Sequence, residues 1–313
     1  MFKVWRNRIL FGYITSSLLF LEYPKLSPFA NINTMFNHPK KNKYSVGAHR
    51  GGCHEYPENT MAAFENGVKQ GCDYIELDLH LTKDKQVVIS HDDNLRRFVG
   101  VDKYIKDLNY DEISHIIQEN SKDENFQKLS LFEEVLQKFD VPINCDFKKG
   151  EKDVILEAHS LIKKYKYQDK IIWGSFHQST TKMLKEVDPQ ISRFVSKEEF
   201  FKCTLLYYLG LLPFCKIDFQ SFQVPYPNEF FWSNRLTDSN RSVFENPKTF
   251  KVLFKMIQWT ISPMLKHLEK RGIQTILWVI NDQDDLDKVL KYDVHGIMTD
   301  EPSIMVPKLK KRE

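Results

Sequence analysis

The alternation of short apolar runs with longer helical patterns constrains the fold of this chain more than any other feature. Eight runs are candidate strands: 44–48, 73–79, 141–147, 170–176, 191–196, 216–224, 274–280 and 295–299. Helical patterns at 60–70, 131–139, 153–165, 179–187, 263–271 and 283–291 lie between several of them. Such alternation indicates a parallel sheet with helical crossovers, and eight units predict a closed (β/α)8 TIM barrel. A doubly wound open sheet is the alternative.

One further strand-like run, Gln86–Ser90, follows the second candidate strand after only the four residues "TKDK". A parallel partner needs a crossover of about a dozen residues or more, so this run is predicted to return antiparallel as a short hairpin arm. The arm would bring His91 back beside the strand that carries Glu76 and Asp78.

The length of the chain fits one barrel with an N-terminal appendage. A barrel uses about 250 residues as one domain, and the chain has 313. We predict a hydrophobic membrane segment and linker at 1–43, the barrel at 44–307 and a basic tail at 308–313.

The first 22 residues resemble a membrane-targeting segment. Lys3, Arg6 and Arg8 precede the uncharged run Ile9–Leu21, and the absence of a small-x-small cleavage site after it favours a retained anchor over a cleaved signal. The run reaches only about 20 Å, short of the roughly 30 Å hydrocarbon core of a bilayer. We expect association with the endoplasmic reticulum or another internal membrane.

Charge and cysteine content exclude some classes of function. The 45 Lys and Arg against 42 Asp and Glu leave a formal charge of +3, too balanced for a nucleic-acid partner. The five cysteines contain no C-x-x-C pair, so their spacing indicates neither a disulfide framework nor a zinc site. Reduced, mostly buried thiols are expected.

A second uncharged segment, "CTLLYYLGLLPFC" at Cys203–Cys215, lies between two predicted barrel strands. Because strands on both sides belong to one barrel, it cannot cross a bilayer once. Its short length and Pro213 predict a hydrophobic insertion that is interfacial or re-entrant. A buried barrel helix is the alternative.

Acidic residues recur at alternate positions of two candidate strands. Glu76 and Asp78 project from one face of their strand, and carboxylates facing a barrel interior need a partner or a cation. Hard cations such as Mg2+ or Ca2+ prefer oxygen ligands, whereas salt bridges to Lys or Arg are the alternative. Asp146 would complete a three-carboxylate site, and Lys148 would hold an anion unless the two form an internal ion pair.

Two histidines follow predicted strands, where barrels carry their catalytic residues. His49 is followed by Arg50, whose planar guanidinium suits phosphate oxygens, and His91 ends the hairpin arm. A lone histidine is more often structural than catalytic. Two histidines that converge on carboxylates indicate hydrolysis, because the reaction needs a base for the attacker and an acid for the leaving group.

Five segments together resemble the glycerophosphodiester phosphodiesterase family. They are "HRGGCHEYPENT", "IELDLHLTKDKQVVISHD", "INCDFK", "ILWVIND" and "GIMTDEP", in the family's order and spacing over residues 46–302. Within the family, the chain is most similar to the membrane-associated lysophospholipase D branch, which has an N-terminal hydrophobic segment and a "GLLPF"-like insertion.

The resemblance implies roles position by position. Glu76, Asp78 and Asp146 match the ligands of a divalent metal, Mg2+ or Ca2+; His49 and His91 match the acid/base pair; Arg50 and Lys148 match phosphate contacts; Glu58, Asn59 and Trp278 match residues beside the substrate. The third metal ligand is Asp where many members have Glu. Asp84-Lys85 also replaces the usual Asp-Gly turn, which affects the hairpin rather than the chemistry.

The resemblance implies metal-dependent hydrolysis of lysophospholipids to lysophosphatidic acid and a free alcohol, and of related glycerophosphodiesters. The expected partners are these substrates and a membrane surface, and the apolar insertion is expected at the barrel mouth, where it would admit an acyl chain. A phospholipase C-like or sphingomyelinase-like phosphodiesterase, or a non-catalytic lipid-binding barrel, is the alternative.

Overall fold

The computed structural model describes residues 44–123, 126–148, 152–226, 261–292 and 294–311, together with Ser16. The rest of the predicted N-terminal segment and linker lies outside the described residues. Nine helices are labelled here, and residues 261–270 are also helical. They are α1 Met61–Gln70, α2 Arg96–Val99, α3 Tyr110–Asn120, α4 Phe132–Lys138, α5 Lys152–Lys164, α6 Gln178–Val187, α7 Lys197–Tyr208, α8 Gln283–Val289 and α9 Pro302–Lys310. Short 3-10 turns occur at His49–Gly51, Ile105–Asp107, Gln168–Lys170 and Leu212–Phe214.

The strands form a parallel barrel with a short antiparallel extension. They are β1 Ser45–Ala48, β2 Tyr74–Leu81, β3 Val87–Ile89, β4 Ser130–Leu131, β5 Ile143–Phe147, β6 Ile171–Gly174, β7 Ser192–Arg193, β8 Ser221–Pro225, β9 Gln274–Trp278 and β10 Gly296–Thr299. Eight are neighbours in the order β7-β6-β5-β2-β1-β10-β9-β8. A parallel bridge between Phe194 and Ser221 joins the two ends. The predicted (β/α)8 barrel and its eight strands are confirmed.

Alternation along β2 divides the interior of the barrel from its outer core. Ile75, Leu77 and Leu79 are buried in the hydrophobic core that the helices cover. The intervening residues face the opposite side, because successive side chains of a strand alternate. Asp78 pairs in register with Asp146 of the adjacent β5, so the two strands bring their acidic residues to the same level.

The hairpin after the second strand is confirmed. Strand β3 runs antiparallel to β2, with Leu79 opposite Ile89. The backbone N–H of Ser90 donates to the carbonyl of Asp78 at 2.9 Å, which delivers His91 to the carboxyl end of β2. A second hydrophobic cluster supports this extension; it contains Val88, Leu95, Ile105, Ile113, Ile117, Phe126 and Leu129.

The apolar segment at 203–215 belongs to a crossover between β7 and β8. Helix α7 starts near the carboxyl ends of the strands, where the N–H of Lys197 donates to the carbonyl of Phe176 at 3.1 Å. The segment ends at the opposite face, where Arg271, just before β9, donates to the carbonyls of Leu212 and Cys215 at 2.9 and 2.8 Å. The prediction that this insertion lies at the barrel mouth is wrong, because a crossover must return to the face where the next strand begins.

Helix α7 nevertheless keeps an apolar outer side. Phe201, Leu205, Tyr208 and Leu209 are each more than half exposed, whereas Cys203 is buried in the core. In the part of the chain that the structure describes, no helix is both long enough and apolar enough to cross a membrane. Association with a membrane stays a prediction.

The last helix extends beyond the expected end of the barrel. Helix α9 runs to Lys310, and Leu309 is buried in the main core. Residues 308–310 therefore pack with the barrel, although the sequence pattern placed them in a basic tail.

Candidate active site

Three carboxylates define the centre of the candidate site at the carboxyl ends of β2 and β5. Glu76 and Asp78 are almost completely buried, at 5% and 0% exposure. Burial and the charge of Asp78 raise the pKa of Glu76 above its usual value. Burial alone would also raise the pKa of Asp78, but the charges of Lys148 and Arg50 outweigh it, and the pKa of Asp78 is lowered. The site therefore concentrates negative charge where water is excluded.

Lys148 lies against two of these carboxylates. Its Nζ is 2.7 Å from Oδ1 of Asp78 and 2.5 Å from Oδ2 of Asp146. Burial lowers the pKa of Lys148, but the charges of Asp146 and Asp78 outweigh burial and raise it, so the side chain carries a positive charge. The ion pair that was the alternative for Asp146 and Lys148 is present, and it places a cation against the carboxylates of Asp78 and Asp146.

Arg50 occupies the other side of Asp78. Its Nε is 3.6 Å from Oδ2 of Asp78, and its Nη1 donates to both oxygens of Glu58 at 3.3 Å. Its backbone N–H donates to Oε2 of Glu76 at 2.9 Å. Arg50 has a positive φ of 49°, a region that costs a non-glycine residue about 1–3 kcal/mol and clusters at functional sites. The turn after β1 thus holds Arg50 and Glu76 together.

Asn59 fixes the buried carboxylate of Asp78 from a third direction. Its Nδ2 donates to Oδ2 of Asp78 at 2.9 Å, and its backbone N–H donates to the carbonyl of Arg50 at 2.9 Å. The φ of Asn59 is 58°, a conformation that asparagine tolerates better than most residues. Thr60 then caps α1 by accepting the N–H of Ala63, so the start of the helix positions the amide.

His49 follows β1 and is held by an acid that directly follows the last strand of the barrel. Its Nδ1–H donates to Oδ1 of Asp300 at 2.6 Å, and Nδ2 of Asn281 donates to the other oxygen of Asp300 at 2.8 Å. Burial alone lowers the pKa of His49, but the hydrogen bond to Asp300 and the charge of Glu76 outweigh it and raise the pKa above its usual value. This arrangement leaves Nε2 of His49 as the nitrogen that can exchange a proton with a substrate.

His91 also donates through Nδ1 to an acid, but in a more open setting. Oδ1 of Asp92 accepts this bond at 2.7 Å, and the side chains of His91 and Asp92 are 34% and 30% exposed. Arg97 donates to Oδ2 of Asp92 at 2.5 Å and to Oε1 of Glu58 at 2.6 Å. Burial and the charge of Lys148 lower the pKa of His91. The two histidines thus differ in the direction of their pKa shifts.

Trp278 ends β9 and is half-buried. It packs against Tyr74, Ile276 and Met298, a small cluster within the barrel. The structure therefore places this aromatic residue at the carboxyl end of a barrel strand, the same end as the histidines and carboxylates.

The three carboxylates fit a hard divalent cation. Their donors are all oxygens, the set that Mg2+ and Ca2+ prefer. Oδ1 of Asp146 is buried and accepts no hydrogen bond, and an unpaired buried acceptor is costly unless a cation or a donor satisfies it. Glu76, Asp78 and Asp146 are therefore suitable metal ligands in this structure.

The residues that orient His49 and His91 were not among those predicted from the sequence. Asp300 directly follows β10 and Asn281 comes three residues after the end of β9, and both occur in segments that carried the family resemblance, "ILWVIND" and "GIMTDEP". Their position just after a barrel strand was the available signal. Arg97 gave no comparable signal, because its contact with Glu58 joins residues 39 positions apart.

Comparison with known proteins identifies the family. The profile of the Glycerophosphoryl diester phosphodiesterase family matches residues 49–304. The chain belongs to this family. The match includes every residue of the candidate site, from His49 to Asp300.

Curated relatives cover nearly the whole chain. The human protein named Lysophospholipase D GDPD1 is 32% identical over 305 residues, which is 93% of this chain and 92% of the relative. The human Lysophospholipase D GDPD3 is 29% identical and covers 93% and 95% of the two chains.

Solved structures share the fold. A glycerophosphodiester phosphodiesterase from Agrobacterium tumefaciens matches with a TM-score of 0.64 at 16% identity, covering 86% of this chain and all but 1% of that one. An Oleispira antarctica phosphodiesterase, whose structure contains the product sn-glycerol-3-phosphate, has a TM-score of 0.61 at 20% identity and covers 85% and 96% of the two chains. The family match and the curated relatives show that the chain is an enzyme of the phosphoric diester hydrolase class.

Proposed function

We propose that this enzyme is a divalent-metal-dependent lysophospholipase D that also accepts related glycerophosphodiesters. The observation that carries the proposal is the joint presence of two acid-paired histidines, a cluster of three carboxylates and two cations, Arg50 and Lys148, at one end of the barrel. The relatives named lysophospholipase D support the lysolipid substrate.

Glu76, Asp78 and Asp146 would hold the metal, and members of the family generally depend on a divalent cation. When bound, such an ion polarises a phosphoryl oxygen and offsets its charge. Arg50 and Lys148 bind the phosphate and stabilise the negative charge that develops on it, as fixed cations in a water-poor site do most effectively. Glu58 and Asn59 keep Arg50 and Asp78 in place for this task.

The histidines divide the proton transfers. Each donates its Nδ1–H to a carboxylate, so each presents Nε2 for exchange. One histidine accepts the proton of the attacking hydroxyl, from water or from the 2-hydroxyl of the glycerol, and the other gives a proton to the departing alcohol. Such a pair suits a substrate whose leaving group would be a poorly leaving alkoxide unless it is protonated and departs as an alcohol, such as choline or ethanolamine.

Mass spectrometry of the products from lysophosphatidylcholine tests the proposal. We expect lysophosphatidic acid and choline with Mg2+ or Ca2+ and neither product with a chelator. His49→Ala should lower the rate by about 10²–10⁴-fold, the usual contribution of a general acid or base. His115→Ala is the matched control, because His115 lies on α3 with 72% of its side chain exposed.

Other products would point to a different activity. Monoacylglycerol and phosphocholine would show phospholipase C-like chemistry instead. Binding of the lysolipid without any product in the presence of either metal would mean that the barrel binds lipid without turnover.

A further inference from the structure

The turn after β1 contacts Asp300 and brings together a second set of side chains that could bind a metal ion. Oδ1 of Asp300 accepts the Nδ1–H of His49 at 2.6 Å and the Sγ–H of Cys53 at 2.8 Å. One ligand atom from each of these three residues lies within 4.8 Å of the other two. The backbone N–H of His54 donates to the carbonyl of Asp300 at 3.1 Å, and Nε2 of His54 is 3.7 Å from Oδ2 of Asp300.

The backbone of this turn fixes the cluster. Gly51 and Gly52 have φ of 85° and 102°, values that favour glycine because it lacks a Cβ. A Cβ on Gly52 would also lie 2.7 Å from the ring of Pro302. The reversal at these glycines brings Cys53 back to the carboxylate that His49 already contacts, so the three groups are held together before any ligand arrives.

The chemistry of this cluster differs from that of the buried carboxylates. A thiol, an imidazole and a carboxylate are the donors typical of zinc sites, whereas Mg2+ and Ca2+ prefer oxygen alone. Softer ligands select thiophilic ions over hard ones. Glu301 lies beside the cluster, with Oε1 at 3.1 Å from Nδ1 of His54, and adds negative charge that favours a cation.

We propose that His49, Cys53 and Asp300 bind a thiophilic divalent cation, with His54 at the rim, and that the bound ion inhibits the enzyme. Binding of the ion goes beyond the proposed function, whereas the inhibition rests on it, because it requires His49 to act in catalysis. The side chains of His54 and His49 are 53% and 15% exposed, which gives an ion access from solvent.

The binding step balances without any redox partner. The S–H bond of Cys53 breaks, an S–metal bond forms, and the proton leaves to water. The Nδ1 proton of His49 moves through water to Nε2, and the lone pair that this frees on Nδ1 binds the ion. Nε2 then has no lone pair with which to accept a proton, and Asp300 is diverted from orienting the ring.

Zinc binding to the full-length protein in excess Mg2+ tests the site directly. Equilibrium dialysis should show one Zn2+ whose affinity falls at least 10-fold in Cys53→Ser, a variant that keeps a donor to Asp300 and loses the soft ligand. Cys215→Ser is the matched control, because Cys215 is the other partly exposed cysteine among the described residues. This control should bind Zn2+ as the wild type does.

Two further measurements test the ligands of the zinc ion and its effect on hydrolysis. X-ray absorption of the zinc-loaded wild type should show one sulfur neighbour, and a shell of nitrogen and oxygen alone would overturn the proposal. Zn2+ should inhibit hydrolysis of glycerophosphocholine at least 10-fold less effectively in Cys53→Ser than in the wild type. Equal inhibition would instead mean competition at the carboxylates. If the protein lacks hydrolytic activity with Mg2+, the proposed function fails, while dialysis and absorption still decide the zinc site.

Discussion

The two histidines of the site use the same contact in different surroundings. Each donates its Nδ1–H to an aspartate, at 2.6 Å for His49 and 2.7 Å for His91. Asp300 has a side chain only 10% exposed and is also bound by Asn281, whereas Asp92 is 30% exposed and shares its charge with Arg97. A histidine–aspartate pair is therefore buried and rigid beside β1 and β10, whereas the other histidine–aspartate pair faces solvent beside the hairpin.

The difference shows how topology sets the strength of a contact. Asp300 reaches His49 from 251 positions away because β1 and β10 are adjacent in the barrel. Asp92 is the next residue after His91, so the pair depends on a local turn and on Arg97. A buried carboxylate restricts an imidazole more than an exposed one, because water competes less for its oxygens.

Replacing each aspartate by asparagine should expose this asymmetry and give the largest effect. We expect Asp300→Asn to lower kcat/KM by roughly 10²-fold or more, because an amide in this place favours the wrong tautomer of His49. Asp92→Asn should cost less than about 10-fold, since solvent and Arg97 remain near His91. Steady-state kinetics on glycerophosphocholine measures both, and equal losses would remove the distinction between the two sides.

The pH dependence of the variants sharpens the same comparison. Asp300 raises the pKa of His49, so its carboxylate favours the protonated ring, and Asp300→Asn should move the titration of His49 to lower pH. NMR titration of the histidine ring protons reads the shift directly, with His115 as an internal exposed reference. A shift to higher pH would contradict the role given to Asp300.

The smallest expected effect is a change in the melting temperature when Glu76, one of the buried carboxylates, is replaced. The folded-state pKa of Glu76 is raised, so its ionisation destabilises the fold; this cost begins above the usual glutamate pKa and is complete above the raised one. In chelator, Glu76→Gln should therefore increase Tm by a few degrees above neutral pH and by less at mildly acidic pH.

Thermal unfolding with Mg2+ completes this experiment. Added Mg2+ should raise the Tm of the wild type and leave that of Glu76→Gln nearly unchanged, because the variant lacks a ligand. Glu119→Gln is the control, since Glu119 is 59% exposed on α3. A Glu76→Gln variant that is less stable than the wild type in chelator would contradict the charge crowding inferred here.

Much of the fold followed from local patterns. The eight strands, the antiparallel hairpin arm and six helices each have a periodicity that a short window reveals. The position of helix α7 was harder to predict, because the apolar run that begins in it resembles a membrane segment. Only the order of the strands shows that this run belongs to a crossover between β7 and β8. Glu76 and Asp78 were found because alternate residues of a strand share a face, whatever the rest of the chain does.

The sequence by itself determined the barrel, the family and the ten residues proposed for the reaction, because motifs and strand periodicity are properties of contiguous residues. Only the tertiary structure decided how these residues are oriented. His49, Cys53 and Asn281 meet at Asp300 because the first strand of the barrel pairs with the last. No spacing rule connects Cys53 to a carboxylate 247 positions away, so the mixed donor cluster becomes visible only when β1 and β10 lie side by side.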